Sequence, residues 1–238
     1  MKTTQIKNQI KKIAKEFGLK YKSIWFNLIW INSSEETILE YISECQDPIY
    51  NKYGNTIKKR ITNIERFINS DDFKHCLKRY GGQVISKNEL NRQLNVYRKI
   101  KNNKLRLDLV SLGNKIRKNL GKGNFITLLT KTKILKEKEK IMKDILRHEW
   151  IHVLLKENNI NFQDINKRYW PYDEGLDEYM VCFIDGNLNK LEKFRDSENY
   201  PLEKKNWIYA IKFKKLFRDK DSVEKRRKSI FEFIEELK

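Results

Sequence analysis

The sequence predicts a predominantly helical α+β fold, with a small sheet placed ahead of one central helix. Three observations carry this. Apolar residues recur at three- and four-residue spacing through most of the chain. Two short runs of strand character fall between residues 105 and 129. A longer stretch, from about residue 135 to 156, is apolar on two faces: Ile141, Ile145, His148, His152 and Leu155 share one stripe and Met142, Leu146 and Val153 another. A helix of that kind is expected to be central and buried.

The elements follow in order. Ile6, Ile10, Ile13, Ala14 and Phe17 predict an amphipathic helix that Gly18 ends. Its apolar stripe is expected to pack on the protein's own core rather than on a membrane surface. The segment from Ile24 to Ile31 is strand-like in its β-branched and aromatic content, although periodicity does not separate a strand from a buried helix there. Ser33 with Glu36 forms a capping box for a helix that stops before Pro48. A third helix is expected from about residue 56 to 68, and a fourth contains His75 and Cys76. Ser86 with Glu89 predicts another capped helix reaching about Ile100.

Leu105, Leu107 and Leu109 alternate with Arg106 and Asp108, which predicts a half-buried strand. Phe125 to Leu129 predicts a second. Between them Gly121-Lys122-Gly123 lacks the remainder of a phosphate-loop pattern and is read as a turn. After the central helix, Asn158-Asn159 offers a stop, and a helix is expected to run through the acidic stretch beginning at Asp173 to about Ile184. Two or three basic amphipathic helices complete the chain from Leu191. The expected organisation is a helical region over residues 1–100, regulatory or packed on the core, and a core with C-terminal helices over 101–238.

Composition narrows the function classes. Hydrophobic residues make up 39% and aromatics 12% of the 238 residues, enough for a substantial core. A formal net charge of +19 implies attraction to an anionic partner, nucleic acid or acidic protein, without choosing between them. The lysines are spread along the chain, as solvated helix faces would place them. Cys45, Cys76 and Cys182 are too scattered for a disulfide framework or a cysteine metal site, which predicts reduced thiols in a cytoplasmic protein. Neither a secretory leader nor a transmembrane segment is predicted.

Chemistry concentrates at His148-Glu149-Trp150-Ile151-His152. Two of the three histidines in the chain lie four residues apart, where both imidazoles can reach one ion from the same helix face. Histidines on an apolar helix are more often satisfied core residues, but a second stretch supplies what such a site lacks. In Asp173-Glu174-Gly175-Leu176-Asp177-Glu178-Tyr179 the carboxylates of Glu174 and Glu178 are four apart, so one can be a ligand and the other can orient a ligand. Asp173 and Asp177 are expected to be solvated or to serve as charges near the helix N-terminus.

Together, His148-Glu-Trp-Ile-His152 and Trp170-Pro-Tyr-Asp-Glu-Gly-Leu-Asp-Glu-Tyr179 resemble the gluzincin group of zinc metallopeptidases, particularly the small, minigluzincin-like members. The likeness covers about residues 125 to 185. Position 177 is Asp where the group usually has Ala, and the spacing from His152 to Glu174 is slightly longer than its commonest one. The resemblance implies a zincin-like core, one Zn²⁺ per chain held by His148, His152 and Glu174, and Glu149 as general base in peptide hydrolysis. Glu178 is then the orienting carboxylate or the alternative ligand. Tyr179, Tyr200, Tyr209 and His75 are candidate donors to the oxyanion, and the strand at Phe125 to Leu129 would be a sheet edge that pairs with an extended substrate. Competing expectations are a basic nucleic-acid-associated protein with a structural zinc, a peptidase acting on DNA-bound protein, and an inactive peptidase-like fold.

Overall fold

In the computed structural model, residues 3–32, 82–101, 103–120, 124–131, 139–198, 201–217 and 222–238 are described. The helices expected at Ser33–Pro48, at residues 56–68 and around His75 lie outside these segments, as does Tyr200. The described chain is predominantly helical with one three-stranded sheet. Its elements are α1 (Thr3–Glu16), β1 (Leu28–Asn32), β2 (Gly82–Ser86), α2 (Lys87–Tyr97), α3 (Asn103–Asn119), β3 (Phe125–Lys131), α4 (Glu139–Glu157), α5 (Trp170–Ile184), α6 (Leu191–Ser197), α7 (Pro201–Leu216) and α8 (Val223–Glu236). Two compact units partition the chain: Met1–Ser23 with Arg147–Lys238, and Ile24–Leu146. They do not follow a boundary at residue 100, because α1 belongs with the C-terminal helices.

In the unit of residues Ile24–Leu146, β3 is the middle strand of the order β1-β3-β2, parallel to β1 and antiparallel to β2. The predicted strand at Phe125 is therefore present, but it is no sheet edge. Both its sides are already hydrogen-bonded, which leaves no free ladder on β3 for an extended substrate. Asn27 holds the entry to β1: its backbone carbonyl accepts from Thr127 N at 2.9 Å and its side-chain amide donates to the Leu120 carbonyl at 3.0 Å. The ambiguous segment from Ile24 thus resolves into a short 3₁₀ turn followed by a strand.

The strand predicted at Leu105, Leu107 and Leu109 is instead the start of α3. Leu109, Leu112, Ile116 and Leu120 are all buried, whereas Leu107 is 66% exposed. Alternation over five residues was overridden by a three- and four-residue period that continues for three further turns. Helix α3 packs closely on α2 at Gly113, where a Cβ would stand 2.4 Å from Leu94 Cδ2.

Ser86 caps α2 as expected, accepting from Glu89 N at 3.0 Å. The Glu89 carboxylate, rather than returning to the cap, pairs with Arg92 and accepts from the Gln93 amide. Gln93 in turn accepts from the Tyr97 hydroxyl at 3.0 Å, with both residues fully buried. Burial first, and then the Glu89 charge, hold the Tyr97 phenol well above its usual 10.0. Its neutral form is thus favoured by folding, so this contribution is complete below about pH 10 and is lost as pH rises through the folded value. Tyr97→Phe should cost about 1–3 kcal/mol at neutral pH by leaving the buried Gln93 Oε1 without the donor it has from Tyr97. It should also reduce the alkaline loss of stability, both effects being read from denaturant unfolding at pH 8 and above pH 10.

In the unit of residues Met1–Ser23 and Arg147–Lys238, α1 buries Ile6, Ile10, Ile13 and Ala14. Gly18 ends the helix at φ +63°, with Leu19 N reaching the Ala14 carbonyl at 2.8 Å. Phe17 then meets the rings of Tyr179, Phe183 and Phe217 edge-on. Arg226 of α8 donates to the Glu16 carbonyl and carboxylate while covering Phe17 and Phe183. Helix α4 stops where the asparagines predict: Asn159 takes φ +60°, and Asn158 exchanges two hydrogen bonds with the Lys20 backbone.

Helix α5 lies close against α7. A Cβ on Gly175 would stand 2.3 Å from Tyr209 Cβ and 2.9 Å from the Tyr209 carbonyl carbon, so the two backbones approach to a distance that only glycine permits. Gly175→Ala should therefore cost about 1–3 kcal/mol through forced displacement of α7, seen as a lower thermal midpoint.

Candidate metal centre

Helix α4 carries buried Trp150, Ile151, Val153, Leu154 and Leu155, which fix its rotation and leave the two histidines side by side on its least covered face. The His148 side chain is 28% exposed and that of His152 11%. Helix α5 enters with Pro171 in its first turn, a position where proline sacrifices no helical hydrogen bond. Buried Asp173 accepts from Phe162 N at 3.0 Å and so anchors this end of α5. Asp173 is thus a structural acceptor, not a solvated charge.

One turn into α5, the Glu174 carboxylate meets both imidazoles. His148 Nε2 lies 3.2 Å from His152 Nε2, 3.3 Å from Glu174 Oε2, and His152 Nε2 lies 3.4 Å from Glu174 Oε1. Ligands bound at about 2.0–2.1 Å with tetrahedral angles are about 3.3 Å apart, which is close to the separation of the two Nε2 atoms and to the contact each makes with its nearer Glu174 oxygen. A compact octahedral ion with ligands at about 2.0–2.1 Å needs edges nearer to about 2.9 Å and favours oxygen donors. Two imidazole nitrogens and a carboxylate at this spacing form a donor set that could hold a divalent ion. Among the described residues, this trio alone brings three metal-ligating side chains together.

The carboxylate nearest His148 Nδ1 is that of Asp177 rather than Glu178. Asp177, 0% exposed, places Oδ2 directly against His148 Nδ1, whereas Glu178 Oε1 is 3.8 Å from the same nitrogen. An Nδ1–H donated to Asp177 leaves the Nε2 lone pair directed at the trio. Asp177 follows Glu174 by three residues, a helical neighbour spacing, and its charge sits under the ligands rather than in solvent.

Electrostatics follow from burial. Burial opposes the charged imidazolium of His148, but the adjoining Asp177 and Glu174 carboxylates prevail and raise its pKa well above 6.5. Burial likewise opposes ionisation of Glu174, yet His152 and His148 hold it well below 4.5. His152 is raised by Glu174 and Asp177 against the same burial cost. The carboxylates and imidazoles of the cluster thus favour each other's charged forms. Burial raises Glu149, an effect only partly countered by the two histidines, and lifts Glu178 to about 7. Glu149 feels both histidines, Glu174 and Asp177, which places it beside the trio without belonging to it.

The candidate oxyanion donors fare differently. Tyr179 is fully buried among Phe17, Phe183 and Phe217 and is a core residue. Tyr209 packs on Gly175 and meets the Tyr172 ring at a centroid distance of 4.2 Å, tilted by 50°, with the Lys212 ammonium over its face. Tyr200 and His75 fall outside the described residues. Trp150 packs beside the histidines, 1% exposed, with Lys7 over its ring.

Comparison with protein-family models, curated proteins and solved structures finds no match to this chain. What the centre can do is therefore read from its own chemistry. Because Asp177 fixes His148, Asp177→Ala should lower affinity for Co²⁺, titrated spectroscopically, by about 10–100-fold. Glu178→Ala should lower it less.

Proposed function

We propose that this chain is a zinc-dependent peptidase of gluzincin type. The observation that supports the reading most strongly is the convergence of His148 Nε2 and His152 Nε2, 3.2 Å apart, on the Glu174 carboxylate, one on each oxygen, with a half-buried Glu149 following His148 in the chain. His148, His152 and Glu174 would hold the ion. Zinc, when bound, lowers the pKa of water toward about 7 and polarises a carbonyl.

The chain's own residues supply the rest. Glu149 takes the proton of the attacking water and passes it to the leaving amine. Burial raises its pKa, which favours its holding a proton more than an exposed glutamate would. Asp177 holds the His148 ring, and Asp173 with Gly175 holds the helix that delivers Glu174. Among the described residues no helix is long and apolar enough to cross a membrane.

The test is elemental analysis joined to a peptide-cleavage assay on quenched fluorescent peptides. The purified chain should carry about one zinc. Glu149→Gln should keep the metal while cleavage falls by about 10²–10⁴-fold, and His152→Ala should lose both. A chain that holds zinc but cleaves nothing, or a Glu149→Gln variant of undiminished activity, contradicts the reading.

A further inference from the structure

Helix α1 has two faces of opposite character. Ile6, Ile10, Ile13 and Phe17 are committed to the core. On the other side an open groove is lined by Asn8, Lys11, Lys12, Ala14, Lys15, Leu19 and Tyr21. Among the described residues, no acidic side chain lines the groove. Glu16, the sole acid in residues 1–34, is engaged by Arg226. Lys11, Lys12 and Lys15 are exposed. Lys11 and Lys15 are one helical turn apart, about 6 Å along the axis.

We propose that this groove docks single-stranded nucleic acid, with successive phosphates on Lys11, Lys12 and Lys15 and a base laid against Tyr21. An anionic bilayer suits the groove less well, because the apolar residues that would enter lipid are those already buried in the core. An acidic peptide is also a poorer fit. Extended peptides are held largely through backbone hydrogen bonds, and the amides of α1 are already used within the helix. Single strands need only cations along a groove and a ring for stacking, and both are present. This inference is independent of the peptidase reading and uses none of its residues.

Fluorescence anisotropy of a labelled oligothymidylate, titrated with the full chain between about 50 and 200 mM salt, tests it. K11E/K12E/K15E should weaken binding by at least about tenfold and reduce the log–log salt slope by about 2, since each phosphate contact contributes about 0.7. Tyr21→Ala should weaken binding with the slope unchanged. K204E/K205E, at exposed lysines of α7, should leave affinity within about twofold. The neutral variant K11Q/K12Q/K15Q, checked for an unchanged thermal midpoint, should reproduce the loss without charge reversal. The proposal is overturned if K204E/K205E weakens binding as much as the groove variant, or if the wild type does not bind at low salt. Oligoglutamate or phosphatidylserine vesicles that compete as well as unlabelled oligothymidylate would overturn it too.

Discussion

The close contact of Gly175 with Tyr209 and Ala210 is the constraint on which the candidate centre depends. It seats α5 directly on the α7 backbone, and Asp173 fixes the N-terminal end of α5 through Phe162 N. On its inner side α5 presents Tyr179 and Phe183 to Phe17. Three separate attachments thus leave α5 little freedom. The residue between Asp173 and Gly175 is Glu174, so the same contacts that pack the helix deliver its carboxylate to the two histidines.

The charge balance of the centre follows. Glu149, Glu174, Asp177 and Glu178 crowd around two imidazoles, and Asp177 is fully buried. Uncompensated carboxylates in such surroundings are costly. The raised pKa values of both histidines express that demand in the metal-free chain. A divalent ion meets the same demand with a stronger and more directional charge, while the Asp177 contact keeps the His148 lone pair aimed at it. Under the proposed reading, the site's electrostatics and its geometry are both suited to a bound divalent ion.

Much of this was legible in the sequence because it is local. The spacing of His148 and His152 places two rings on one helix face whatever the tertiary fold, and Ser86, Gly18 and Asn159 mark helix ends by their own chemistry. What failed was what depends on neighbours. Leu105 to Leu109 alternates like a strand, but Leu112, Ile116 and Leu120 continue a helical stripe that a sheet could not bury. The strand at Phe125 was foreseen, yet its central place is set by pairing with β1 and β2, which local pattern does not encode. Asp177 was expected to be solvated or a charge near the helix N-terminus, but it lies midway along α5 and is fully buried. Its three-residue offset from Glu174 was the signal that it shares the ligand face. Tyr179 lies one position beyond Glu178 and turns to the aromatic core instead.

The most direct measurement is a crystal structure of the zinc-soaked protein with diffraction recorded on both sides of the zinc absorption edge. The account predicts one anomalous peak at about 2.0–2.1 Å from His148 Nε2, His152 Nε2 and a Glu174 oxygen, with Glu149 adjacent but not bound. A peak elsewhere, a peak ligated by Glu178 in place of Glu174, or no peak at saturating zinc would contradict it.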